Sequence, residues 1–192
     1  KCIGFSLGNH EWKAGMGVLA GLTERLAKKL HPYPEGDLKK SIFLGWTWHC
    51  KLIFKHPRTK KECNVVIMGE HGYSAPRTDA ALLGNIVRRG GDWGIPDVLL
   101  WGHAHQSIRR TKPDIGINPI GRSDEYIQRL REFVVCPSMV DAYKRDVISY
   151  AERGQFSPTL KGVAEIDINV WDFKQPMITS RYPLIFATGE EL

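Results

Sequence analysis

Four histidines of this sequence stand in one kind of place, a loop that follows an apolar stretch. His10 lies in SLGNHEW, His71 in VVIMGEHG, and His103 and His105 in VLLWGHAHQ. Neutral imidazole is a good ligand for zinc, iron, manganese and similar ions. The ends of strands in α/β sheets are where ligands and reactive groups collect. Glycines flank each of these histidines and allow the sharp turns that bring side chains to one point. The His103-x-His105 spacing has two uses. On extended backbone the two rings point the same way, and on a tight loop they can straddle two ions. Asn9, beside His10, adds a neutral oxygen donor. Each element alone occurs often by chance; the three together, in this order and context, point to a metal centre. Cysteine does not join them. Cys2, Cys50, Cys63 and Cys136 are scattered with no C-x-x-C pair, so they read as buried free thiols and not as a structural zinc site.

The elements that must position these residues are legible as periodicity. Cys2 to Leu7 reads as a short buried strand. Trp12 to Leu30 is helical in pattern, with Leu19, Leu22, Leu26 and Leu30 at spacings of three and four, and Pro32 and Pro34 end it. Ser41 to Lys55 and Cys63 to Met68 are strand-like and flank a polar turn at Pro57 to Lys61, which predicts a hairpin. Asp79 to Arg89 is expected to be a helix capped by Thr78 or Asp79 and closed by Gly90-Gly91. Pro96 to Trp101 is a buried strand that leads directly into Gly102-His103-Ala104-His105, and Glu132 to Cys136 is another strand after a polar connection. Gly162 to Val170 alternates, and Ile178 to Phe186 could pair with it. Strands alternating with helices early and hairpin strands late imply an α/β architecture with sheet-on-sheet packing. Trp46, Trp101 and Trp171 are assigned to the core, with Trp12 and Trp93 open.

The chain has 192 residues, 42% hydrophobic and 25% charged, which suits a soluble globular protein with one substantial core. No apolar run approaches the roughly 18 residues of a membrane span. The opening KCIGFSLGNHEW is not a signal peptide, since its apolar stretch is short and runs into a polar motif. A cytoplasmic address follows by default. Net charge is +6, clustered at Lys51–Lys61, at Arg88-Arg89, and at Arg109, Arg110 and Lys112. The first cluster reads as a solvated hairpin. The last directly follows the GHAH loop, where it could hold the phosphates of a substrate or of a nucleic acid.

The order Gly8-Asn9-His10-Glu11, then His71-Gly72, then Gly102-His103-Ala104-His105 resembles the calcineurin-like metallophosphoesterases. The resemblance covers positions 8 to 105 and implies a β-sandwich flanked by helices, with two divalent ions (manganese, iron, zinc or nickel) that hydrolyse a phosphomonoester or phosphodiester. It implies Asn9, His71 and His103 as ligands of one ion and His105 as a ligand of the other. It implies His10 as the catalytic residue over the phosphate, with Glu11 orienting it. Tyr73 and Arg109 would lie near the substrate; for Tyr73 a packing role is equally open.

The family pattern starts with Asp-x-His and then Gly-Asp-x-x-Asp, both ahead of GNHE. Only seven residues precede Gly8 here, and no Asp-x-His occurs anywhere in the sequence. Residues 1–192 are therefore expected to be the C-terminal part of one such domain, lacking its first strands. The remaining ligands would come from an N-terminal segment or a partner chain, and the isolated polypeptide is expected to be inactive. Two other readings stay in view: a binding module that kept the fold without catalysis, and a nuclease branch acting on DNA or RNA.

Overall fold

The computed structural model describes residues 5–6, 25, 29, 43–73, 76, 78–92, 96–117, 126–138, 148, 153, 161–170 and 176–183. In chain order the elements are β1 (Phe5–Ser6), β2 (Phe43–Gly45), β3 (Thr47–Lys55), β4 (Glu62–Glu70), α1 (Asp79–Asp92), β5 (Val98–Trp101), β6 (Arg109–Ile117), β7 (Tyr126–Val135), β8 (Glu165–Asn169) and β9 (Met177–Arg181). Arg25 and Lys29 are helical, as the leucine spacing around them predicts.

Five strands form one mixed sheet in the order β3-β4-β5-β7-β6. The β3–β4 hairpin is antiparallel, β4, β5 and β7 run parallel, and β6 returns antiparallel along β7. The hairpin tip carries exposed Arg58, Lys60 and Lys61, the solvated cluster expected there. β5 reads VLLW without alternation because both its faces are covered. Leu99 and Trp101 face α1 in a cluster with Met68, Leu82, Ile86, Ala104, Phe133 and Val135. Val98 and Leu100 face the other way and pack with Val65, Ile67 and, from the β8–β9 hairpin, Ile166, Ile168 and Ile178. The fold is thus mixed α/β and strand-rich: a helix on one face of the main sheet and a two-stranded layer on the other. Among the described residues no helix is long and apolar enough to cross a membrane.

Buried carboxylates tie the strands of the main sheet to one another and, through Glu132, to the β8–β9 layer. Glu132 on β7 is 3% exposed; it accepts a hydrogen bond from the Ser180 hydroxyl of β9 at 2.8 Å and another from the Thr111 hydroxyl of β6. Asp97, just before β5, accepts from the Val66 amide at 2.8 Å and lies 3.3 Å from the Arg129 guanidinium. Each carboxylate is satisfied by donors, as burial of a charged group requires.

Three expectations are corrected by the fold. Gly90-Gly91 does not close α1, which runs to Asp92. Gly90 is buried, and a Cβ there would stand 3.1 Å from the Phe133 ring and 3.2 Å from Leu99, so glycine lets the helix approach the sheet. The stretch at Arg109–Ile117 is a nine-residue strand and not a connection. Its polar composition and Pro113 conceal it, and both are tolerated because β6 is an edge strand. The long strand expected from Ser41 breaks at Trp46 into β2 and β3, where Gly45 has φ +74°.

Candidate metal centre

The parallel strands β4 and β5 end side by side, Glu70 opposite Trp101. His71 is the next residue after β4, and Gly102-His103 follow β5 directly. The ladder continues into the loops: the Gly102 amide donates to the Glu70 carbonyl at 3.0 Å, and the His71 amide donates to the Trp46 carbonyl at 3.1 Å. The loops are in backbone contact, since a Cβ on Gly102 would stand 3.0 Å from the His71 carbonyl oxygen. Gly72 has φ +82°, and a Cβ there would lie 2.5 Å from Trp101 Nε1. Glycine is required at that position on both counts.

This frame brings two predicted ligands together. His71 Nε2 and His103 Nδ1 are 3.3 Å apart, with ring centroids at 5.2 Å and planes at 70°. Two imidazole nitrogens on one ion, each about 2.0–2.1 Å from it, stand roughly 2.9–3.4 Å apart across octahedral to tetrahedral angles. The observed separation falls within that span. In the ion's absence the same approach is a hydrogen bond in which one ring donates and the other accepts. The indole of Trp46 rests edge-on against His71, centroids 4.8 Å apart, and limits the ring's freedom to turn. Trp46 was expected in the core; it is half-buried and lines this pair instead.

The GHAH segment adopts the tight-loop alternative. The Ala104 amide donates to the Gly102 carbonyl at 2.7 Å, closing a three-residue turn around His103. His103 has φ +65° and His105 φ +55°, left-handed values uncommon for non-glycine residues and concentrated at functional sites. Ala104 between them is buried in the helix-side core. His105 is part-buried at the second left-handed position. Asn9, His10 and Glu11 lie outside the described residues, as do Trp12, Trp93 and Trp171. Among the described residues no group of three or more His, Cys, Asp or Glu side chains gathers where it could hold one ion.

Tyr73 is 55% exposed. Its ring meets Trp101 edge-on at 5.6 Å, and its hydroxyl lies 3.5 Å from Arg88 of α1. It therefore packs between Trp101 and α1 while remaining largely open to solvent. Arg109 is the exposed first residue of β6, four positions after His105. Cys136, at the end of β7, donates its amide to the Trp101 carbonyl at 2.7 Å. Burial pushes its thiol up to about 11; it is protonated at neutral pH and is no nucleophile. Tyr182 closes the same end of the sheet, its hydroxyl directed to the Val135 carbonyl at 2.9 Å and to the Ile108 carbonyl.

One feature escaped the sequence reading. Glu70, directly before His71, is buried and forms a two-point ion pair with Arg89 of α1. Its signal was present: an acidic residue ending an otherwise apolar strand must have a partner. No protein-family model, curated protein or solved structure matches the chain.

Proposed function

We propose that this chain contributes to a metallophosphoesterase site of the calcineurin-like kind, which hydrolyses a phosphomonoester or phosphodiester with two divalent ions. The observation that carries the reading is the 3.3 Å approach of His71 Nε2 to His103 Nδ1 at the ends of adjacent parallel strands. Asn9, His71 and His103 would hold one ion and His105 the other. The order of β1 supports this. β1 is parallel to β2, with Ser6 opposite Gly45, one residue before the Trp46 that touches His71. Asn9 and His10 follow Ser6 by three and four residues, a chain reach of roughly 10–14 Å.

Divalent ions, when bound, supply charge to neutralise the phosphate and acidity to activate a water. The chain's own residues do the rest. His71 and His103, held by their loops, would present ring nitrogens to one point. His10 donates a proton to the leaving oxygen, a role worth on the order of 100- to 10,000-fold in rate. Glu11 orients His10. Arg109 sets positive charge beside the loop and draws the anionic substrate.

A nuclease branch is the second reading, favoured by the exposed Arg109, Arg110 and Lys112 on an edge strand that starts beside the GHAH loop. It predicts DNA affinity that falls steeply with salt.

The test uses the protein expressed from its full reading frame, with manganese and bis-p-nitrophenyl phosphate. His10→Asn is expected to abolish turnover while metal content stays, and His103→Ala to lose metal. Turnover that survives both substitutions, or that persists after thorough chelation, overturns the proposal.

A further inference from the structure

We infer that the Glu70–Arg89 ion pair is the positioning element that holds His71 against His103; the inference rests on the metal reading of that histidine pair. Glu70 is the last residue of β4, and its side chain is 3% exposed. Arg89 Nε meets Oε2 at 3.0 Å and Nη2 approaches Oε1 at 3.4 Å. This fork-on-carboxylate geometry fixes direction as well as distance. The backbone of the same residue is held too. Its carbonyl accepts from Gly102, the first residue of the GHAH loop, and the next amide, that of His71, is bound to Trp46. Residue 70 therefore joins the helix, the β5 loop and the start of the His71 loop at one point. On the far side of His71-Gly72, Arg88 lies 3.5 Å from the Tyr73 hydroxyl, so adjacent arginines of α1 reach both flanks of the loop.

The pair is not needed to attach the helix. Leu82, Ile86 and the close approach at Gly90 already seat α1 on Leu99 and Phe133. A buried ion pair adds little net stability, because desolvation offsets the attraction, and its best-attested use is to specify one arrangement. Here the arrangement specified is the strand end from which His71 departs. The two charges also cancel, so the buried carboxylate does not compete with the imidazoles for a cation.

Cobalt(II) is the probe, followed by its visible absorption and by titration, with the urea midpoint measured in parallel on the full-reading-frame protein. Glu70→Met with Arg89→Met replaces the pair by apolar side chains of similar volume. It is expected to keep the urea midpoint near wild type and to weaken cobalt binding at least tenfold, the effect usual for supports behind metal ligands. Arg89→Lys keeps the charge and loses the fork; it is expected to weaken binding severalfold with the fold intact. A folded double variant, or a folded Arg89→Lys, that binds cobalt as wild type does overturns the inference and leaves the metal reading standing. A wild-type protein that takes up no cobalt overturns both.

Discussion

Gly72→Ala tests the frame that carries His71. The backbone there has φ +82°, where an L side chain costs roughly 1–2 kcal/mol. The new methyl would stand 2.5 Å from Trp101 Nε1, 2.7 Å from its Cε2 and 3.1 Å from the Gly102 carbonyl oxygen. Ordinary contact begins near 3.4 Å, so something must move by most of an ångström. Trp101 is fully buried within the helix-side core and cannot move without repacking, and overpacking of this kind costs about 1–3 kcal/mol. Together these give a loss of about 2–5 kcal/mol, a large part of the roughly 5–15 kcal/mol that holds a domain folded. The assay is urea unfolding followed by tryptophan fluorescence. Gly84→Ala is the control: it lies in α1 with nothing within 4 Å of a new Cβ, so helix propensity alone should make it stabilising by about 1 kcal/mol. If Gly72→Ala costs less than about 1 kcal/mol, below the summed strain and overpacking cost, and the slope against urea is unchanged, the packing of the His71 loop on Trp101 is not as argued.

Burial raises the Cys136 thiol from an ordinary value of 9.0 to about 11, so the unfolded chain releases this proton first. The contribution of this group should be constant below pH 9 and fall between pH 9 and 11 by about 2–3 kcal/mol. Burial also raises the Tyr182 hydroxyl, so Cys136→Ala should flatten this alkaline limb in pH-dependent urea midpoints without removing it. Ser180→Ala takes one donor from the buried Glu132 carboxylate and should cost about 1–3 kcal/mol; an unchanged urea midpoint would contradict the layer tie described above. Cobalt(II) at a hundred times its dissociation constant should stabilise the fold by about 2.7 kcal/mol, read as a rise in melting temperature. His103→Ala should abolish that rise, and a rise that persists in the variant would remove His103 from the site.

What the sequence determined by itself was local. Apolar runs ending in glycine and histidine placed His71, His103 and His105 at strand ends, because a strand buried on both faces announces itself by composition. The β3–β4 hairpin, the Thr78-capped start of α1 (its hydroxyl 3.4 Å from the Ala81 amide) and the β8–β9 pairing followed from period and turn residues in the same way. The tertiary structure decided what depends on neighbours distant in sequence. Gly90 looks like a helix stop until Phe133 and Leu99 stand against it. β6 looks like a loop until its edge position excuses Pro113, and Trp46 looks like core until the strand register sets it beside His71. The choice between extended and tight geometry at His103-x-His105, and the 3.3 Å between His71 and His103, belong to that second class. Residues 32 positions apart meet only because β4 and β5 are parallel neighbours that end in register, Glu70 opposite Trp101, and strand order is set by the packing of both faces of the sheet together, which no local pattern records.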